Sequence, residues 1–82
     1  MNITILFFAS LRERTGDTKK ILILDDGKTV NDALQLLGNH YSKVRFRDEI
    51  LSIAVNQAYI TDKNYPLRDG DQVALLPPIS GG

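Results

Sequence analysis

Only one stretch of this 82-residue chain has the length and one-sided apolar pattern of a substantial helix, and strand-like segments lie on both sides of it. Val30, Ala33, Leu34, Leu37 and Tyr41 recur at helical spacing and form one broad apolar face. Thr29 opens the segment: its hydroxyl suits the N–H of Asp32, and the Asp32 carboxylate suits the positive end of the helix dipole. Gly38 lowers helix propensity, so the helix should end near residues 38–41. One helix cannot cover two separate sheets. The strand segments before and after it must therefore share a single sheet.

The segments themselves are legible from their residues. Residues 3–9 are β-branched and aromatic, with Ile3, Ile5 and Phe7 on one face and Leu6 and Phe8 on the other, the mark of a central strand or of one whose outer face is covered. Residues 10–15 suggest a short helical turn, with Ser10 as N-cap and Glu13 three residues on, stopped by Gly16-Asp17. A second strand is expected at residues 20–24, then a turn through Asp25-Asp26-Gly27-Lys28. Residues 42–49 look polar and irregular. A third strand at 51–56 alternates Leu51, Ile53 and Val55 inward against Ser52, Ala54 and Asn56. Asn56-Gln57 should turn tightly into a short strand at 58–61. After a loop at Asp62-Lys63-Asn64 and a glycine turn at Arg68-Asp69-Gly70-Asp71, the last strand occupies 72–76, and Pro77 ends its hydrogen bonding. This order predicts an α+β domain of the β-grasp class over residues 1–82: one mixed five-stranded sheet around one main helix, first and last strands side by side in the middle.

In that arrangement the helix covers one sheet face only. If Ile5, Phe7, Val73 and Leu75 face the helix, then Leu6, Phe8, Ala74 and Leu76 face away. Leu6, Phe8 and Leu76 would form an apolar patch on the uncovered face, with Tyr59 extending it. Such patches on small domains mark partner surfaces. A shift of one residue in register would exchange the two faces.

Directly after the last strand come Pro77-Pro78-Ile79-Ser80 and then Gly81-Gly82. Two residues without side chains let an extended segment pass a narrow channel and leave the final carboxylate unshielded. Residues 77–82 are expected to be a flexible tail, stiffened at its base by the proline pair and reaching roughly 20 Å when extended. The patch lies at the root of this tail, where a partner would grip in order to receive it. Chance and the commonness of glycine at termini are the bland alternative.

Composition removes other functions. A chain this short buries about 60–65% of the surface its unfolded form exposes, so its core must be efficient. With no cysteine there are no disulfides, thiolate metal sites or cysteine nucleophiles. Ten basic and ten acidic residues cancel, which argues against a nucleic-acid partner, and Lys43, Arg45 and Arg47 are followed at once by Asp48 and Glu49, as on a solvated face. No segment is long enough to cross a membrane and no signal peptide is evident, so a cytosolic location is expected. His40 has no metal-binding companions. Asp25, Asp26, Asp69 and Asp71 fit turn chemistry better than catalysis. No phosphate-cradling loop is present, so ATP, if used, belongs to a partner.

Four segments resemble the small subunit of molybdopterin synthase: Ile5-Leu6-Phe7-Phe8-Ala9-Ser10-Leu11-Arg12-Glu13, Ala54-Val55-Asn56-Gln57, Leu67-Arg68-Asp69-Gly70-Asp71-Gln72-Val73-Ala74, and Pro77 to Gly82. The paired phenylalanines before Arg-Glu, the Pro-Pro and the length favour this branch over the thiamin sulfur carrier. The resemblance implies a ubiquitin-like sulfur carrier, itself not catalytic and binding no cofactor or metal. An ATP-dependent adenylyltransferase/sulfurtransferase would activate the carboxylate of Gly82 and convert it to a thiocarboxylate. The large catalytic subunit of the synthase would then receive the tail within a heterotetramer, and the sulfur would pass to cyclic pyranopterin monophosphate. The resemblance makes Gly82 the carrier atom's residue, gives Gly81 the role of steric clearance, and places Phe8, Tyr59, Leu76 and Arg12 against the partners. Family members often carry an aromatic residue in place of Leu76 and an aliphatic one in place of Tyr59. Carriers for thiamin or tRNA thiolation and ubiquitin-like protein modifiers share the same tail chemistry.

Overall fold

In the computed structural model, which describes residues 1–78, the chain runs β1 (Asn2–Phe7), α1 (Ser10–Thr15), β2 (Lys19–Ile23), α2 (Val30–His40), β3 (Ser52–Val55), β4 (Ala58–Ile60) and β5 (Gln72–Leu76). The strands form one sheet in the order β2-β1-β5-β3-β4. β1 and β5 are parallel neighbours at its centre, and the other three pairings are antiparallel. This is the β-grasp arrangement expected from the element order.

The core forms on one face of the sheet because the alternation of both central strands points the same way. Ile3, Ile5 and Phe7 of β1 and Val73 and Leu75 of β5 are fully buried together with Val30, Ala33, Leu34 and Leu37 of α2. Burying each large aliphatic or aromatic side chain is worth about 1.5–3 kcal/mol, so this layer supplies most of what a small domain has. Tyr41 caps the C-terminal end of α2 and meets the Phe7 ring edge-on at 5.5 Å. Burial, and then its hydrogen bond to the Asp17 carboxylate at 2.5 Å, pushes the Tyr41 phenol up to about 12.

The start of α2 is a reciprocal cap. Asp32 N–H donates to Thr29 Oγ1 at 3.4 Å, while Asp32 Oδ2 accepts from Thr29 N–H at 2.8 Å and from the Thr29 hydroxyl at 3.0 Å. The backbone N–H of Thr29, then its hydroxyl, hold the Asp32 carboxyl below its ordinary value of 3.8. A depressed folded pKa stabilises the fold above the unfolded value and loses that contribution as pH falls through the folded one. We therefore expect the denaturant midpoint to drop on acidification below about pH 4, and Asp32→Asn to flatten that drop while lowering the midpoint at neutral pH.

Turn chemistry sets the other connections. Gly27 and Gly70 both adopt φ 86°, as required at their turns. Asn56 and Gln57 have φ 51° and 73°, the paired positive values of a two-residue hairpin between β3 and β4. Asn56 also ties this hairpin to β5. It exchanges backbone and side-chain bonds with Gln72 at 2.8 and 2.9 Å, and its Nδ2 donates to Asp71 Oδ1 at 2.8 Å. The other oxygen of the buried Asp71 carboxylate accepts from Arg68 N–H at 2.8 Å. The turn role expected of Asp71 is met, and the network fixes where β5 begins.

Several local expectations are corrected. β1 stops at Phe7 rather than at residue 9, because Ala9 takes φ 51° and ψ −129° and reverses the chain. Ser10 is the first helical residue, not the cap; Ala9 occupies the cap position and offers no side-chain bond. β2 begins at Lys19, and β3 and β4 are each shorter than their expected spans. Ala54 lies on the outer face by register yet is buried. Within residues 42–49, Val44 and Phe46 are each only 1% exposed and belong to the core. The charged neighbours Lys43, Arg45 and Arg47 are exposed, as expected.

Candidate functional site

The outer face is built by strand register. Leu6, Ala74, Ala54 and Tyr59 align in one row across β1, β5, β3 and β4. One step further along, Leu76 of β5 lies opposite Ser52 of β3, and Phe8 follows the Phe7–Leu75 pair. Leu6, Phe8, Ala74 and Leu76 are all half-buried, while Tyr59 is 71% exposed. Phe8 and Leu76 each follow the paired Phe7 and Leu75 by one residue, at the end of the sheet from which the chain continues through a half-buried Pro77 and an exposed Pro78. Tyr59 lies on the far edge strand, about 10 Å across the sheet from β5. It continues the surface rather than touching its centre.

Phe8 is held by a constrained turn. Leu11 N–H donates to Phe8 O and Arg12 N–H to Ala9 O, both at 3.1 Å. Between them Ala9 adopts its positive φ, a conformation that costs a residue with a Cβ about 1–3 kcal/mol. Arg12 crosses back over the turn. Its Nε donates to Phe7 O at 2.9 Å, and its guanidinium lies 5.3 Å from the centroid of the Phe8 ring. That contact caps the last carbonyl of β1 and presses a cation on the ring face. Arg12 thus joins the site through Phe8.

Ile50 was not singled out by sequence pattern. It is 80% exposed, two residues before the Ser52 that pairs with Leu76. Its position in an irregular segment hid it, because no strand periodicity assigns a face there. Gly81 and Gly82 lie outside the described residues. Among the described residues, no group of three metal-ligating side chains occurs, and no helix is long and apolar enough to cross a membrane. His40 is exposed beside Tyr41, with ring centroids 4.7 Å apart. What the described surface offers is an apolar patch at the base of the segment that leads to Gly81-Gly82.

A β-grasp sheet with that outer face defines a ubiquitin-like protein. The chain belongs to the ThiS family, which it matches over residues 5–82. It is 37% identical over 82 residues to the molybdopterin synthase sulfur carrier subunit of Escherichia coli (strain K12), covering 98% of this chain and 99% of that protein. Among solved structures it is similar to SAMP1 (small archaeal modifier protein 1) of Haloferax volcanii, with a TM-score of 0.89 and 26% identity over all of both chains. It is also similar to a chain of the complex of subunits 1 and 2 of molybdopterin-converting factor from Helicobacter pylori 26695. That match has a TM-score of 0.61 and 27% identity, again over all of both chains. The resemblance drawn from the sequence segments is thus met by a relative bearing that name.

Proposed function

We propose that this chain is the sulfur carrier of molybdopterin synthesis, working through the carboxylate of Gly82. The observation that carries the reading is the end-to-end match to the Escherichia coli sulfur carrier subunit, in a chain whose apolar outer face converges on the root of Gly81-Gly82. A carboxylate is a poor electrophile because its charge repels nucleophiles. Its oxygen attacks the α-phosphorus of ATP on an activating enzyme, and pyrophosphate leaves. Hydrosulfide-level sulfur supplied by that enzyme system then attacks the acyl carbon and displaces AMP, leaving a thiocarboxylate. The large synthase subunit accepts the extended tail, and the thiocarboxylate sulfur attacks a carbon of the pyranopterin and displaces an oxygen substituent from it; water then cleaves the resulting thioester, which leaves the sulfur on the pterin and returns the carboxylate. Gly81 provides clearance, and Phe8, Leu76 and Tyr59 grip the partner.

Intact-mass analysis after incubation with the activating enzyme, ATP and a sulfur source tests this reading. The expected product carries sulfur in place of one oxygen at Gly82, and an unchanged mass with a competent enzyme would sink it. Complementation of strains lacking the molybdopterin, thiamin or tRNA-thiolation carrier identifies the acceptor. The likeness to SAMP1 favours one further reading, a protein modifier, which would appear as isopeptide adducts of Gly82 on lysines of cellular proteins.

The Arg12–Phe8 contact makes a separate prediction. Arg12→Ala should weaken docking about fivefold, the equivalent of roughly 1 kcal/mol, and should have almost no effect in a Phe8→Ala background. A double-mutant cycle measured with the large subunit and the activating enzyme checks this. Equal losses in both backgrounds would mean that Arg12 touches the partner directly.

A further inference from the structure

β2 is an edge of the sheet, and its outer side is unusually apolar. Ile21 and Ile23 are 57% and 78% exposed and lie on the outer face opposite Thr4 and Asn2. The ladder to β1 uses the even-numbered residues: Leu24 N–H donates to Met1 O and Phe7 N–H donates to Thr18 O, each at 2.9 Å. In an antiparallel ladder bonding alternates residue by residue. The N–H and C=O of Lys19, Ile21 and Ile23 therefore point away from the sheet. An exposed apolar edge of this kind is a template for another strand.

The edge is complementary to itself in one register. Place two copies of β2 antiparallel about a twofold axis through Leu22. Ile21 then faces Ile23, Lys19 faces Asp25, and each outward-pointing residue meets another outward-pointing residue. Centring the axis on Ile21 instead sets Asp17 against Asp25, and centring it on Ile23 sets Ile21 against Asp25. Centring it between residues opposes outward-bonding to inward-bonding positions. Lysines on an edge ordinarily prevent pairing; here Asp25 of the second copy would neutralise Lys19, twice per pair. We propose that β2 pairs with β2 of a second copy in the Leu22-centred register, extending the sheet across a homodimer. β2 lies two strands from β5, so the pairing is independent of the proposed carrier chemistry.

Sedimentation equilibrium of the full chain tests the pairing from micromolar to millimolar concentration. Concentration-dependent dimer is expected, of a weak class suited to so small an interface. Lys19→Asp and Asp25→Lys should each raise the dimer dissociation constant at least tenfold, because each opposes like charges at both ends. An equimolar mixture of the two variants should restore association, since each charge then meets its opposite. Circular dichroism controls for folding, both positions being exposed. A monomer at millimolar concentration, single variants that associate like the natural chain, or a mixture that fails to recover would each overturn the proposal.

Discussion

Phe46→Ala lowers the stability of this domain by about 3–5 kcal/mol, the usual cost of truncating a buried aromatic residue. Phe46 is 1% exposed, and its ring centroid lies 6.0 Å from that of Phe7 and 6.2 Å from that of Tyr41. It is thus the plug that an otherwise irregular segment inserts beside the end of β1 and the end of α2. Small domains hold only about 5–15 kcal/mol in total, so the variant approaches the limit of folding. A 60–100-residue domain loses about 4–8 °C of Tm per kcal/mol, which puts the expected fall at roughly 12–40 °C. Arg47→Ala, at the exposed neighbour, should change stability by no more than about 0.5 kcal/mol. Thermal and denaturant unfolding of both variants check the pair, and a loss under about 1 kcal/mol at Phe46 would show that the segment is not part of the core.

That same segment shows where sequence reasoning ended. The helix and the turns at Gly27 and Gly70 were legible because each rests on local rules of apolar period, capping chemistry and glycine turns, and the central pair β1–β5 followed from the element order once one helix could cover only one sheet. Lys43-Val44-Arg45-Phe46-Arg47 carries an equally regular signal, apolar residues alternating with cations. Its charge dominated the reading, and the burial of Val44 and Phe46 was missed. Only the tertiary position of the segment, across the open end of the core, decides which side of an alternating stretch turns inward.

The outer face was legible for a different reason. Once β1 and β5 are neighbours with Ile5, Phe7, Val73 and Leu75 inward, alternation puts Leu6, Phe8, Ala74 and Leu76 on the one outer face, and the register then sets Leu6 opposite Ala74. Two of its features follow from no pattern. The reversal at Ala9, which sets Phe8, needs a conformation that alanine disfavours, so the sequence argues against it. The Arg12 contact depends on that reversal and was invisible without it. Ile21 and Ile23 were visible as strand residues, but their exposure follows from β2 being an edge, which strand order decides.

Deletion of Gly82 is expected to have the largest functional effect: loss of sulfur transfer with partner binding kept. The carboxylate then belongs to Gly81 and falls short by one extended residue, about 3.5 Å. Misplacement of a reacting group by as little as 1 Å can cost about 100-fold in rate, so activity should fall below about 1% of the natural chain on this basis. Appending one further glycine moves the carboxylate the same distance past its position and should be equally damaging, although it removes nothing. Docking should survive both changes, because Phe8, Leu76 and Tyr59 lie before the tail and retain their surface. Gly81→Val keeps the length and tests clearance alone; a Cβ-branched residue there should block entry to a narrow channel. Single-turnover transfer assays set beside binding titrations separate the two contributions. If the shortened or lengthened chains transferred sulfur at the natural rate, position at Gly82 would not matter and the carrier reading would fail. If binding were lost with transfer, the tail itself, and not the outer face of the sheet, would be the grip.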